Sequence, residues 1–131
     1  GMAAIFAAGA EGIQMGTRFV SSKESPVHNN FKNKILESGI DGTLVLNKTS
    51  KPVIRALKSK LTHDINQKGQ MDMSSMLKIQ DLYFKGDMEA APALSGQSSG
   101  LINEIKTVKE IIDETIKEFN IICKKMGDIS F

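Results

Sequence analysis

The chain has 131 residues, 40% hydrophobic and 24% charged, with eleven glycines and three prolines. That is ordinary globular usage, so disorder and fibrous repeats are excluded, and the length allows one domain with a sizeable core but not the roughly 250 residues of a whole β/α barrel. Seventeen Lys and Arg against fifteen Asp and Glu leave a formal charge of +2, too small a surplus to point to nucleic acid.

Met2 to Gly9 is dense in helix formers and stops at glycine, so the chain opens with a helix. No N-cap residue precedes it, which predicts further sequence upstream. The apolar opening is too short to span a membrane and lacks a basic n-region, so neither a targeting segment nor a membrane partner is expected. Ile13, Met15 and the apolar residues up to Val20 predict a short strand with Gly16 and Thr17 at its end, covered by helices on both sides.

A helix is predicted from Pro26, capped by Ser25, with Phe31, Ile35 and Leu36 on its apolar side and Gly39 at its stop. Thr43 to Leu46 reads as a minor strand after the Asp41-Gly42 turn. Pro52 then opens a predicted helix in which Val53, Ala56, Leu57 and Leu61 recur with helical spacing. Met71 to Met88 predicts helix or short helical turns, and its methionines at 71, 73, 76 and 88 read as fillers of an irregular core. Ala90 to Gly100 reads as a structured loop. From about Leu101 to Met126, the spacing of Ile105, Val108, Ile112, Ile116, Phe119, Ile122 and Met126 predicts a long amphipathic helix. Cys123 falls on its apolar side as a small buried hydrophobe. Being the single cysteine, it excludes an intrachain disulfide and suits a cytoplasmic location.

The richest candidate for chemistry is Gly9-Ala10-Glu11-Gly12-Ile13-Gln14-Met15-Gly16-Thr17-Arg18-Phe19. A glycine at a strand end lets backbone amides approach a ligand, and adjoining N–H groups cradle phosphate oxygens, with the Thr17 hydroxyl as a further donor. The same residues also suit a purely structural tight turn, and they match neither a dinucleotide nor a Walker loop. Arg18 either aids such a cradle or pairs with a carboxylate such as Glu24. His28 and His63 have no metal-ligand spacing, and Ser98 and Ser99 have no base, so no metal site and no hydrolytic triad is expected. Lys48, Lys51, Arg55, Lys58 and Lys60 read as a solvated helix face.

The segment 7–19, with Glu24-Ser25-Pro26-Val27-His28, Pro52-Val53-Ile54-Arg55-Ala56-Leu57-Lys58 and Ser95-Gly96-Gln97-Ser98-Ser99-Gly100-Leu101, resembles the C-terminal part of one FMN-dependent barrel family. That family contains nitronate monooxygenase, formerly 2-nitropropane dioxygenase, and the flavin-containing enoyl-acyl carrier protein reductase. The resemblance implies an α/β fold made of two regions. Residues 1–20 would be the last helix and eighth strand of an FMN-binding TIM barrel, and 21–131 a mostly helical C-terminal region with an extended segment near 43–46. It further implies that Met15, Gly16 and Thr17 lie by the FMN phosphate and that Gln97 and Ser98 line the substrate side of the flavin.

The glycine-rich phosphate loop, the strands holding the flavin ring and the catalytic histidine would lie upstream of residue 1, so no catalytic residue is assigned here. The implied chemistry is redox at FMN. It would be either NAD(P)H-dependent reduction of an enoyl thioester carried on acyl carrier protein or oxidation of a small nitronate. His28, Pro52 and Gln97 lean toward the reductase. By itself the chain is expected to be inactive, and its unpaired barrel strand is expected to pack on later helices or to favour self-association. The alternative from a different class is a non-enzymatic helical interaction domain that binds no flavin.

Overall fold

Met2–Ala7 forms the expected helix (α1), which ends where Gly9 takes a positive φ and the Ala10 N–H turns back to the Ile5 carbonyl at 3.1 Å. The structure, a computed structural model, describes residues 1–129 and their side chains except that of Met73. The strand expected around Ile13 and Met15 is not formed. Residues 13–15 have no regular structure, and Thr17–Val20 winds into a four-residue helix (α2). A strand exists only through its pairing. Among the described residues none lies alongside this segment in a backbone ladder, and the ladder that does form is elsewhere.

The next helix is Asn29–Leu36 (α3), and its cap is His28 rather than Ser25, with His28 Nδ1 accepting from the Asn30 N–H at 3.1 Å. Pro26 does not open it, because residues 21–28 are tied down as a loop. Ser22 Oγ accepts from the Ser25 N–H, and the His28 N–H donates to the Tyr83 carbonyl at 2.6 Å. Lys32 on α3 is only 5% exposed, and its ammonium donates to the Ser25 carbonyl at 2.8 Å. Lysine is rarely buried to this extent, so the loop carbonyls replace water for this charge.

Thr43–Leu46 is the expected strand (β1), but its partner is Ile54–Leu57 (β2), antiparallel from Thr43 opposite Leu57 to Leu46 opposite Ile54. The helix expected from Pro52 is thus a strand at its start, and the helix proper is Lys60–Lys68 (α4). Spacing misleads here because a few apolar residues fit either period. In the strand, Ala56 and Leu57 serve opposite faces and reach different cores. The informative local signals are Ser59, which forms a reciprocal capping box with Thr62, and Gly69, which closes α4 at φ 75°. Asn47 holds the hairpin loop. It is buried at φ 62°, donates to the Pro52 carbonyl at 3.0 Å and accepts from the Met71 N–H at 3.3 Å. The five basic residues near 48–60 are therefore spread over hairpin and helix start. Arg55 donates to Thr43 Oγ1 at 2.9 Å, and Lys58 pairs with Asp41 at 3.1 Å.

Two cores meet at β2. Leu57 packs with Phe31 and Ile35 of α3 and with Leu82, Ala91, Ala93 and Ile102, while Ala56 packs with Leu46, Ile65 and Met71. Met76 and Met88 border these cores, whereas the side chain of Met73 lies outside the described residues. The span 71–88 supplies a 3₁₀ turn at Met73–Met76 and a π turn at Asp81–Lys85. Residues 93–95 then run along β2, with the Leu57 N–H on the Ala93 carbonyl at 2.9 Å and the Ser95 N–H on the Arg55 carbonyl at 3.1 Å. This delivers the 3₁₀ turn Gln97–Leu101 beside α2.

The last helix is Val108–Gly127 (α5), starting well after Leu101 and leaving Ile105 outside it. Ile102 is committed to the core, and the Lys106 and Glu104 carbonyls accept from the Lys23 N–H at 2.9 Å and Arg18 Nη1 at 2.8 Å, so residues 102–106 are held by α2 and its loop. The helix starts where Thr107 and Glu110 form a capping box and the Val108 N–H donates to the Glu24 carboxylate at 2.9 Å. Cys123 is exposed rather than buried, because nothing described covers that side of the helix end. No helix among the described residues is long and apolar enough to cross a membrane.

The backbone N–H and hydroxyl of Thr107 hold the Glu110 carboxyl below the usual range. A depressed carboxyl pKa contributes stability above its unfolded value, and that contribution disappears as pH falls through the folded value. Helicity of α5 is therefore expected to fall on acidification below the ordinary carboxylate range. Glu110→Gln, which can still close a capping box, should flatten that part of the profile. Far-UV circular dichroism against pH checks this, and identical profiles for the two proteins would refute it.

Candidate functional site

The Met15-Gly16-Thr17 turn sits between α1 and α2 and is fixed from two sides. The Phe19 and Val20 N–H groups donate to the Gly16 carbonyl at 3.0 Å, and the Thr17 hydroxyl accepts from the Gly96 N–H at 2.8 Å. The second bond joins residues far apart in sequence. It brings the 93–101 segment, already aligned by β2, onto the turn. Accepting through its oxygen leaves the Thr17 O–H free to donate elsewhere.

Among the described residues, no backbone N–H from Glu11 to Arg18 donates a protein hydrogen bond. A side chain built on Gly16 would meet nothing within 4 Å, so the backbone there is open to approach. Arg18 does not pair with Glu24. It donates to the Glu104 carbonyl, while Glu24 caps α5.

These features border a cleft of about 620 Å³ in which Met15, Gly16 and Thr17 form one side, Gly96 and Ser98 another, and Ile5 of α1 contributes to the apolar wall. The structure thus brings together four of the five site residues expected from sequence. Gln97 is the exception. It is exposed and borders a separate hollow of about 250 Å³ with Ile40, Ser98, Gly100 and Leu101. In a 3₁₀ turn successive side chains diverge, so Gln97 and Ser98 cannot both face one cleft.

Sequence reasoning missed the Gly96 N–H as the contact that joins the two halves. Its only signal was the glycine inside a polar loop. It also missed Gly100, where a Cβ would lie 2.6 Å from the Gly39 carbonyl oxygen, so glycine is what lets this turn seat against the end of α3.

The donor set decides what the cleft can do. Its polar groups are amides, hydroxyls and Arg18, with no carboxylate or imidazole among them. It is equipped to bind and orient rather than to transfer protons. His28 caps α3 and His63 is exposed on α4, both away from this lining. Ser95 and Ser99 are buried, and their hydroxyls have no hydrogen-bond partner among the described residues.

Residues 1–118 match the family model described as "Nitronate monooxygenase". The structure superposes on FabK from Thermotoga maritima with a TM-score of 0.90 and 38% identity, covering 98% of this chain and 43% of that one. A probable nitronate monooxygenase of Staphylococcus saprophyticus is 27% identical over 133 residues, covering 95% of this chain and 37% of that protein. A (3aS,4S,5R,7aS)-5-hydroxy-7a-methyl-1-oxo-octahydro-1H-indene-4-carboxyl-CoA dehydrogenase of Mycobacterium tuberculosis is 23% identical, covering 88% of this chain and 45% of that protein. The chain therefore spans less than half the length of these relatives. With a matched span running from the first helix into the last, and a fold shared over nearly its whole length, this chain belongs to the nitronate monooxygenase family.

Proposed function

We propose that this chain supplies one wall of an FMN site in an oxidoreductase, as the C-terminal part of a barrel and its added helical region. The observation that carries this reading is the single cleft shared by Met15-Gly16-Thr17 and Ser98 and tied by the Thr17–Gly96 hydrogen bond. The donors suit a phosphate. The N–H groups of Met15, Gly16 and Thr17 have no protein acceptor among the described residues, the Thr17 O–H is available, and Gly16 leaves room for an anion. Apolar walls and a volume within the usual range for small-molecule sites suit the remainder of a cofactor.

When bound, FMN supplies the electron transfer, and the protein contributes position and electrostatics. In this reading Thr17 and its neighbouring amides hold the phosphate, Arg18 steadies the turn through Glu104, and Ser98 borders the side from which substrate enters. Similarity to FabK over nearly the whole chain favours the NAD(P)H-dependent reductase acting on an acyl thioester, and the carboxyl-CoA dehydrogenase relative is in keeping with thioester substrates. The family model's description favours a nitronate as the second reading. A cytoplasmic setting suits either.

Titration of FMN with the 131-residue chain, followed by flavin fluorescence and anisotropy, tests the cofactor assignment. Saturable binding is expected, and Gly16→Glu, which places a carboxylate against the phosphate at a sterically open position, should weaken it by about tenfold or more. A folded chain showing no saturable binding up to millimolar FMN, or a Gly16→Glu variant that binds as well as its parent, would overturn it. The first of these outcomes is the one the non-enzymatic alternative requires.

A further inference from the structure

The feature left unused by the FMN reading is the far side of α5. This helix touches α1 through the edge-to-face pair Phe6–Phe119, with ring centroids 5.4 Å apart, and buries only Ile111 along its twenty residues. Ile112, Ile116 and Met126 remain 41%, 48% and 53% exposed, with the Cys123 thiol exposed between them. At helical spacing these four positions fall within an arc of about 80°. They form one continuous apolar stripe. Its last turns lie beyond residue 118, where the family match ends.

We infer that this stripe is the seam of an antiparallel pairing with α5 of a second copy of the chain. The charge order along the helix selects that partner and direction. Asp113 and Glu118 flank the first half of the stripe, and Lys124 and Lys125 flank its end. A two-fold axis near Phe119 sets Ile112 beside Met126 of the second copy and Ile116 beside its Cys123. The same register brings Asp113 toward Lys124 of the second copy and Glu118 toward its Lys125. Symmetry makes every such contact twice.

A parallel pair would instead align each charge with its own kind, which is unfavourable at the edges of a helix pair. A lipid surface is a poorer match. Four lysines and four acidic residues leave α5 without the basic excess that draws amphipathic helices to anionic bilayers.

Sedimentation velocity of the full chain, from low to hundreds of micromolar, tests the pairing with two charge-reversed variants. The parent is expected to dimerise in this range. K124E/K125E alone and D113K/E118K alone should each need about tenfold or more higher concentration, because attractive edge contacts become repulsive. An equimolar mixture of the two should regain parental dimerisation, since each then faces its opposite. All four sites are exposed, and circular dichroism verifies that α5 persists. Ile116→Ser, also exposed, should weaken the dimer independently of charge. A chain that stays monomeric, with or without anionic vesicles, overturns the inference. So does a dimer that ignores both reversals, or a mixture no better than its components.

Discussion

Phe31→Ala is expected to destabilise the fold by about 3–5 kcal/mol, the usual cost of emptying a buried aromatic site. Phe31 is 0% exposed, stacks on Tyr83 with ring centroids 5.5 Å apart, and sits where α3, β2 and the 91–102 segment converge. Loss of the ring removes both its transfer free energy and the contacts of neighbours too constrained to collapse into the space. Whole domains are stable by only about 5–15 kcal/mol, so a substantial unfolded population is expected in the variant under mild denaturant. Chemical denaturation of parent and variant measures the difference. A loss below about 1 kcal/mol would mean that Phe31 is not the hub of this core.

The second large effect is expected from Gly86→Ala. Gly86 has φ 75°, and a Cβ there would fall within the His28 ring, with Cε1 and Cγ each 2.6 Å away. The left-handed backbone alone costs a non-glycine residue about 1–3 kcal/mol. Displacing His28 then removes the α3 cap, worth ~1 kcal/mol, and disturbs the Asn30 side chain, which donates to the Gly86 carbonyl at 2.9 Å. Combining Gly86→Ala with His28→Ala should cost less than the sum of the two by about 1 kcal/mol or more, because the ring that clashes is gone. Thermal or chemical unfolding of the four proteins in this cycle checks it, and strict additivity would show that ring and glycine do not interact.

The expectations that held and failed separate according to how local their causes are. The α1 run ended at glycine as its composition implied, β1 followed its turn, and the 71–88 methionines filled a core. The apolar spacing of α5 was visible from end to end. Its start was not, because Ile102 and the carbonyls of Glu104 and Lys106 are claimed by segments far away in sequence. The same applies to Pro52. The spacing of Val53, Ala56 and Leu57 is too short to choose between periods, and β1 across the hairpin decides the matter. The Ser59 and Thr107 capping signals stood in the sequence and marked both true helix starts, whereas Ser25-Pro26 offered a similar signal that the docking of His28 onto Tyr83 overrode.

For the site, the residue types of the Met15-Gly16-Thr17 turn already indicated donors for an anion, but nothing local related them to Ser98. Their shared cleft depends on the Gly96 N–H reaching Thr17, which in turn depends on residues 93–95 lying along β2. The assignment of Gln97 failed to take account of the 3₁₀ turn that sends it outward. Amphipathic periods, caps and turn glycines were determined by the sequence itself, since they act within a few residues through backbone geometry and hydrogen bonding. Strand identity at 54–57, the absence of a strand at 13–15, the exposure of Cys123 and the assembly of the cleft were decided only in the tertiary structure. Each depends on a partner surface, present or missing, supplied by residues distant along the chain.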